Sequence, residues 1–214
     1  MASKRRDGLP TFWTTHLAKV IVGDQPCRLA PWLSGHMLLQ KRARDQIQLA
    51  EWKRQHTSLL TETAGRLSDG QWACSLEQFF RVKGASAIVT GKVDLIARKT
   101  DERPIIVDTK AGEPRESDVV QVCLEMLLVP MAWGSPSMTF GGLVIYADHP
   151  TVTIAAATAA GYREPLFRLV KELALGTKPT AQPSESTCRF CDVSEDDCPH
   201  RWTESEIPAS TTEF

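Results

Sequence analysis

Two acidic residues and a lysine, Asp94, Asp108 and Lys110, sit in adjacent apolar runs of the stretch GKVDLIARKTDERPIIVDTK. The runs Ile88 to Ile96 and Pro104 to Asp108 are short and rich in β-branched residues, a pattern that predicts strands. The polar segment Arg98 to Arg103 has the length and composition of a hairpin connection. Given a suitable register, antiparallel pairing brings Asp94 beside the Asp108 end. Two carboxylates that close repel one another unless a divalent cation binds between them, and oxygen ligands suit Mg²⁺ and Mn²⁺. Lys110 lies two residues beyond Asp108, so in an extended strand both side chains point to one face. An ammonium group there can orient or deprotonate an attacking water, or stabilise charge developing on a phosphate. Taken singly, such residues read as solvated surface. The combination is what points to chemistry.

The flanking segments must hold this hairpin in place. Ser117 to Leu128 predicts a helix in which Gln121 and Glu125, four apart, share a face. Upstream, Ser34 to Leu67 has few breakers and abundant Leu, Gln, Lys, Arg and Ala, and predicts one long helix. On it Leu49, Trp52, His56, Leu59 and Leu60 recur at helical spacing, which places His56 on an apolar stripe. A lone His on such a face is more often a core residue than a ligand. Ser75 to Lys83 predicts a strand whose Glu77 reads as a surface carboxylate. Ser137 to Ala147 and Thr151 to Ala155 predict two more strands, joined by a turn, before an amphipathic helix from Gly161 to Leu175. The alternation of helices and strands implies an α/β fold with a mixed sheet flanked by helices.

Six cysteines without a recognisable signal peptide point to a reducing compartment, the cytoplasm, where thiols serve more often as ligands than as disulfides. Three form Cys188-x2-Cys191-x6-Cys198, and Cys27 lies far upstream. Four thiolates suit zinc or an iron-sulfur cluster. The Cys198-Pro199 step favours the cluster, while His200 keeps open a Cys₃His zinc site without Cys27. Cys74 and Cys123 read as small buried hydrophobes.

Asp94, Asp108 and Lys110 resemble the D…(D/E)-x-K signature of the PD-(D/E)XK nuclease superfamily, in its RecB-like branch, with Asp108 where that branch often has Glu. Gln121 fits the Gln that follows four residues before a Tyr in that branch, and Glu125 departs from the Tyr. The resemblance implies that a helical His contributes to the metal site, for which His56 and His36 compete. The order Cys, His, Asp, D-x-K, Gln, then three Cys spans about Cys27 to Cys198 and resembles the CRISPR-associated RecB-family exonucleases, the Cas-four type. That likeness implies that Cys27, Cys188, Cys191 and Cys198 hold a [4Fe-4S] cluster. Such a cluster would close a loop of about 160 residues, a structural role first.

At 214 residues and 42% hydrophobic, the chain can bury a sizeable core, and it lacks a Walker A motif or room for a helicase. No apolar run is long enough to span a membrane. Residues 1–10 and the tail 203–214 are expected to be disordered around a nuclease domain over 11–202. A net charge of −1 argues against binding nucleic acid by overall charge. Lys41, Arg42, Arg44, Lys53 and Arg54 nonetheless give the long helix a basic side, and Trp32, Trp52 and Trp72 can either pack or stack on unpaired bases.

The function expected is a metal-dependent DNA exonuclease acting on single-stranded ends with Mg²⁺ or Mn²⁺ held by Asp94, Asp108 and His56, assisted by Lys110 and Gln121. By family likeness its work would be prespacer trimming alongside the CRISPR integrase complex. A repair or phage recombination exonuclease of the same branch, and a non-catalytic DNA-binding scaffold with a metal staple, stand as alternatives.

Overall fold

The computed structural model describes residues 4–39, 46–189 and 191–202. In chain order the elements are β1 (Lys4–Arg5), β2 (Thr11–Trp13), α1 (Thr14–Val22), α2 (Leu29–His36), β3 (Met37–Leu38), α3 (Gln46–Asp69), β4 (Ala73–Lys83) and β5 (Ile88–Arg98). They continue as β6 (Ile105–Lys110), α4 (Glu116–Ala132), β7 (Gly141–Tyr146), β8 (Val152–Ile154), α5 (Ala156–Gly161), α6 (Arg163–Ala174) and α7 (Glu185–Arg189).

The strand β5 organises the sheet. Along one edge it pairs with β4, antiparallel, from Ala73 opposite Arg98 to Lys83 opposite Ile88, with a gap in the register where Glu77 stands opposite Asp94. Its other edge is shared. β2 runs parallel to Ile88, Val89 and Thr90, and β6 runs antiparallel to Leu95, Ile96 and Ala97. Between these two partners the edge is open, and Asp94 lies at the opening. Beyond β6 the sheet continues through β7, parallel, and β8, antiparallel, so the sheet is mixed.

The link from β6 to the parallel β7 is α4, and this helix is buried on almost every side. Val120, Gln121, Val122, Cys123, Leu124, Glu125, Met126, Leu128 and Val129 are all buried. Close approach to the sheet requires Gly142 in β7, where an added Cβ would come within 2.7 Å of Val122 Cγ1 and Met126 Sδ. On the other side of the sheet α3 lays Leu60, Ala64 and Leu67 over Leu95, Ala97 and Val107. Helices thus cover both faces, as the alternation of elements implied.

Two expectations need correction. The segment read as one helix from Ser34 to Leu67 is interrupted: α2 ends at His36, Met37 is extended (φ −118°, ψ 154°), and α3 begins at Gln46. The cause is tertiary, because Met37 and Leu38 pair with Arg5 and Lys4. The same pairing places residues 4 and 5 of the supposedly disordered N-terminus in a strand. The Arg6 N–H donates to the His36 carbonyl and the Ile88 N–H to the Pro10 carbonyl. The helix expected over Gly161 to Leu175 is present as α6, and the short α5 before it is an element the sequence reading did not assign. Lys41, Arg42, Arg44 and the tail 203–214 lie outside the described residues, and Lys53 and Arg54 are exposed.

Candidate active site

The hairpin register meets the condition set by the sequence. Pairing runs Ala97–Ile105, Ile96–Ile106 and Leu95–Val107, and the next step along the two strands sets Asp94 against Asp108. There the ladder stops. The carboxylate of Asp94 takes over from backbone pairing, since Oδ2 accepts from the Thr109 N–H at 2.8 Å and from Thr109 Oγ1 at 2.9 Å. Its other oxygen, Oδ1, lies 3.6 Å from His56 Nε2. Nδ1 of the same imidazole is 3.3 Å from Thr109 Oγ1, so both ring nitrogens are oriented by the site.

On the α4 side, Lys110 Nζ stands 2.6 Å from Asp108 Oδ2. Gln121 bridges two carboxylates with one amide nitrogen, donating to Asp108 Oδ1 at 3.2 Å and to Glu125 Oε1 at 3.1 Å. Five expected residues, His56, Asp94, Asp108, Lys110 and Gln121, are therefore brought together. His36 is not among them. It is buried on α2, stacked on Trp32, with Nε2 2.9 Å from the Leu173 carbonyl. Glu77 is exposed and pairs with Lys92 at 2.6 Å.

Charge is crowded here. Burial pushes the Asp108 carboxyl from 3.8 up to about 6, with Asp94 adding to the rise and Lys110 opposing it. Burial also drives Glu125 well above the ordinary carboxylate range, with the Asp108 charge next in effect. Asp94 goes the other way: its burial is outweighed by the hydrogen bonds from His56 and the Thr109 N–H, which hold it below 3.8. The Asp94 carboxylate raises the His56 imidazole against the effect of its burial. Burial alone would lower Lys110, yet the attraction and hydrogen bond of Asp108 raise it, so it stays charged.

Divalent cations prefer carboxylate oxygens. Here the Asp108 Oδ2 and Glu125 Oε2 atoms are buried without a well-directed hydrogen bond, Lys110 being close to Oδ2 but poorly aligned with it. Buried acceptors left in that state are rare and costly, and a cation among Asp94, Asp108 and His56 would answer the Asp108 oxygen. The donor set fits Mg²⁺ or Mn²⁺. Among the described residues no three His, Cys, Asp or Glu side chains are already gathered closely enough to grip a single ion.

Glu125, read only as a departure from a pattern, is fully buried beside Asp108. Thr109 also escaped the sequence reading, although it occupies the middle of D-x-K and orders both Asp94 and His56. Trp52 stacks on His56, with ring centroids 5.2 Å apart and planes 7° from parallel.

Cys27, Cys188, Cys191 and Cys198 line one small cavity, with His200 and Arg201 beside them. Burial raises the Cys191 and Cys198 thiols. The buried Arg201 ties the segment together by donating to the carbonyls of Val193 at 2.8 Å and Cys191 at 3.3 Å, and to that of Cys188. The Trp202 N–H points at Cys188 Sγ at 3.4 Å. Cys123 is buried, its thiol pushed up to about 11 by desolvation, as suits a core residue.

A family comparison agrees with this geometry. The family model of the PD-(D/E)XK nuclease superfamily matches residues 11–196. The crystal structure of SSO0001 aligns over 92% of this chain and 90% of that one, at 14% identity and a TM-score of 0.47. No curated protein matches the sequence. No helix among the described residues is long and apolar enough to cross a membrane.

Proposed function

Because this chain belongs to the PD-(D/E)XK nuclease superfamily, we propose that it is a metal-dependent deoxyribonuclease that degrades DNA from single-stranded ends. The observation that carries this reading is the meeting of Asp94, Asp108, Lys110 and His56 at the open edge of β5. Asp94, Asp108 and His56 would hold Mg²⁺ or Mn²⁺. Bound there, the ion supplies Lewis-acid polarisation of the scissile phosphate.

The protein's own groups do the positioning. Hydrolysis forms a bond from water oxygen to phosphorus, breaks the bond to the leaving oxygen, and delivers a proton to that oxygen. Lys110, kept protonated by Asp108, is suited to orienting the water and stabilising charge on the phosphate rather than to taking a proton. Thr109 fixes the Asp94 carboxylate, and Gln121 fixes Asp108. Preorganised partners of this kind lower the reorganisation needed during reaction.

The four cysteines around one cavity support a [4Fe-4S] cluster held by Cys27, Cys188, Cys191 and Cys198. A cysteine set flanking the nuclease core also supports the CRISPR-associated role, trimming prespacer ends beside the integrase complex.

The direct test is cleavage of end-labelled single-stranded DNA with Mn²⁺ by anaerobically purified protein and by its Lys110→Ala variant. Loss of cleavage in the variant is expected. DNA binding without cleavage by the intact protein under either metal would replace the enzyme with the scaffold reading.

A further inference from the structure

A cleft of about 250 Å³ opens beside the carboxylates, lined among others by Lys110, Gln121, Trp52, Lys19 and Arg115. These residues come from four separate elements or their edges. Trp52 is the most unusual of them. It is half exposed although it is a large aromatic, and it lies on the part of α3 that overhangs the sheet. One ring face rests on His56, nearly parallel, which holds the indole in one orientation. Lys19 is half-buried on α1, and burial chiefly lowers its pKa, with the charge of Arg115 adding to the fall and that of Asp192 opposing it. Lys19, Arg115 and Lys110 bring three cations to a cavity beside the carboxylate site, whose wall also carries Glu113 and Asp118, and cations at that place favour the phosphate of a strand. An oriented, half-exposed indole on the same wall favours a flat aromatic ring.

We propose that this cleft is a nucleotide subsite, in which an unpaired base stacks on Trp52 and its phosphate lies against Lys19 and Arg115. The proposal rests on the nuclease reading and deepens it by saying how the strand is held. It also gives a physical reason for selecting single strands, since a duplex hides the faces of its bases. The stacking is tolerant of sequence because every base has a π face.

The test measures binding by fluorescence anisotropy, in chelator so that nothing is cut. The probes are a labelled oligothymidylate, an oligomer with the same backbone and no bases, and a duplex. Trp52→Ala should weaken binding of the oligothymidylate about 5- to 150-fold. It should leave the base-free oligomer and the duplex unchanged, and Trp52→Phe should retain most of the affinity. Lys19→Ala should weaken all three probes and make the logarithmic salt dependence for the single strand shallower by about 0.7. Unchanged oligothymidylate binding by Trp52→Ala would overturn the subsite, as would an equal loss on the base-free oligomer. Cleavage with Mn²⁺ is scored separately, so a protein that cuts but lacks the Trp52 effect loses the subsite alone. One that shows the effect without cutting loses the enzyme alone.

Discussion

The buried carboxylates at the open edge of β5 should give the metal-free protein an unusual pH dependence of stability. Asp108 titrates from 3.8 unfolded to about 6 folded, chiefly through burial. A group raised on folding contributes stability that is complete below its unfolded pKa and is lost as pH rises through the folded value. At 1.36 kcal/mol per pKa unit, moving from 3.8 to about 6 corresponds to about 3 kcal/mol. Glu125 is shifted in the same direction and adds to the loss. Asp94 is shifted down, so its contribution is lost only on acidification and stays nearly constant above 3.8. His56, raised, adds a loss at the upper end of the range. In chelator, the melting temperature should therefore fall by about 6–12 °C between about pH 4 and pH 7, taking 2–4 °C per kcal/mol for a chain of this size. Mn²⁺, which binds the charged carboxylates, should restore most of that loss at neutral pH. Asp108→Asn cannot titrate and should flatten the slope whatever its absolute stability. Thermal melts across this range, with and without Mn²⁺, give the answer. A wild-type profile that is flat, or parallel to that of Asp108→Asn, would refute the reasoning.

Thr109→Val removes the hydroxyl bond to Asp94 but keeps the backbone one. It should cost about 0.5–1.5 kcal/mol in denaturant melts and reduce cleavage, and unchanged kinetics would count against an orienting role. Gly142→Ala drives a Cβ to within 2.7 Å of Val122 and Met126 and should destabilise by about 1–3 kcal/mol, read by the same melts. Cys191→Ser should lower iron content and brown colour together, and a colourless wild-type protein carrying zinc would contradict the cluster. Lys110→Ala should abolish cleavage while leaving DNA binding in chelator within a few fold, and retained cleavage would remove Lys110 from the chemistry.

The hairpin and its acid-acid-lysine set were legible because they depend on local features: β-branched runs, a polar connection and a two-residue period. Gln121 was legible for a similar reason, its helix having no breaker before its last turn. What escaped depends on distant pairing. Residues 4 and 5 look like a basic tail, and only their partners at 37 and 38 make them a strand and end α2. Glu125 looks like a surface helix carboxylate until the sheet and the neighbouring helices close over α4. Trp52 keeps the spacing of a core stripe, yet along α3 only Leu60 and Thr63 are buried, so the stripe is covered by the sheet only in the second half of the helix.

The two partners on one edge of β5 differ in how far the chain must travel to reach it. β4, β5 and β6 are consecutive, so their pairing closes only short loops, whereas Trp13 must find Thr90 across most of the first hundred residues. Loop-closure entropy delays such distant pairings. The meander carrying Asp94, Asp108 and Lys110 is thus the natural early unit of folding, and β2 with α1 is a late one. Lys19 arrives with that late unit, so the acidic pair is assembled before the cleft that would hold a nucleotide. Competence to bind a strand would then follow completion of the fold, and partly folded chains would carry the carboxylates without the full grip on DNA.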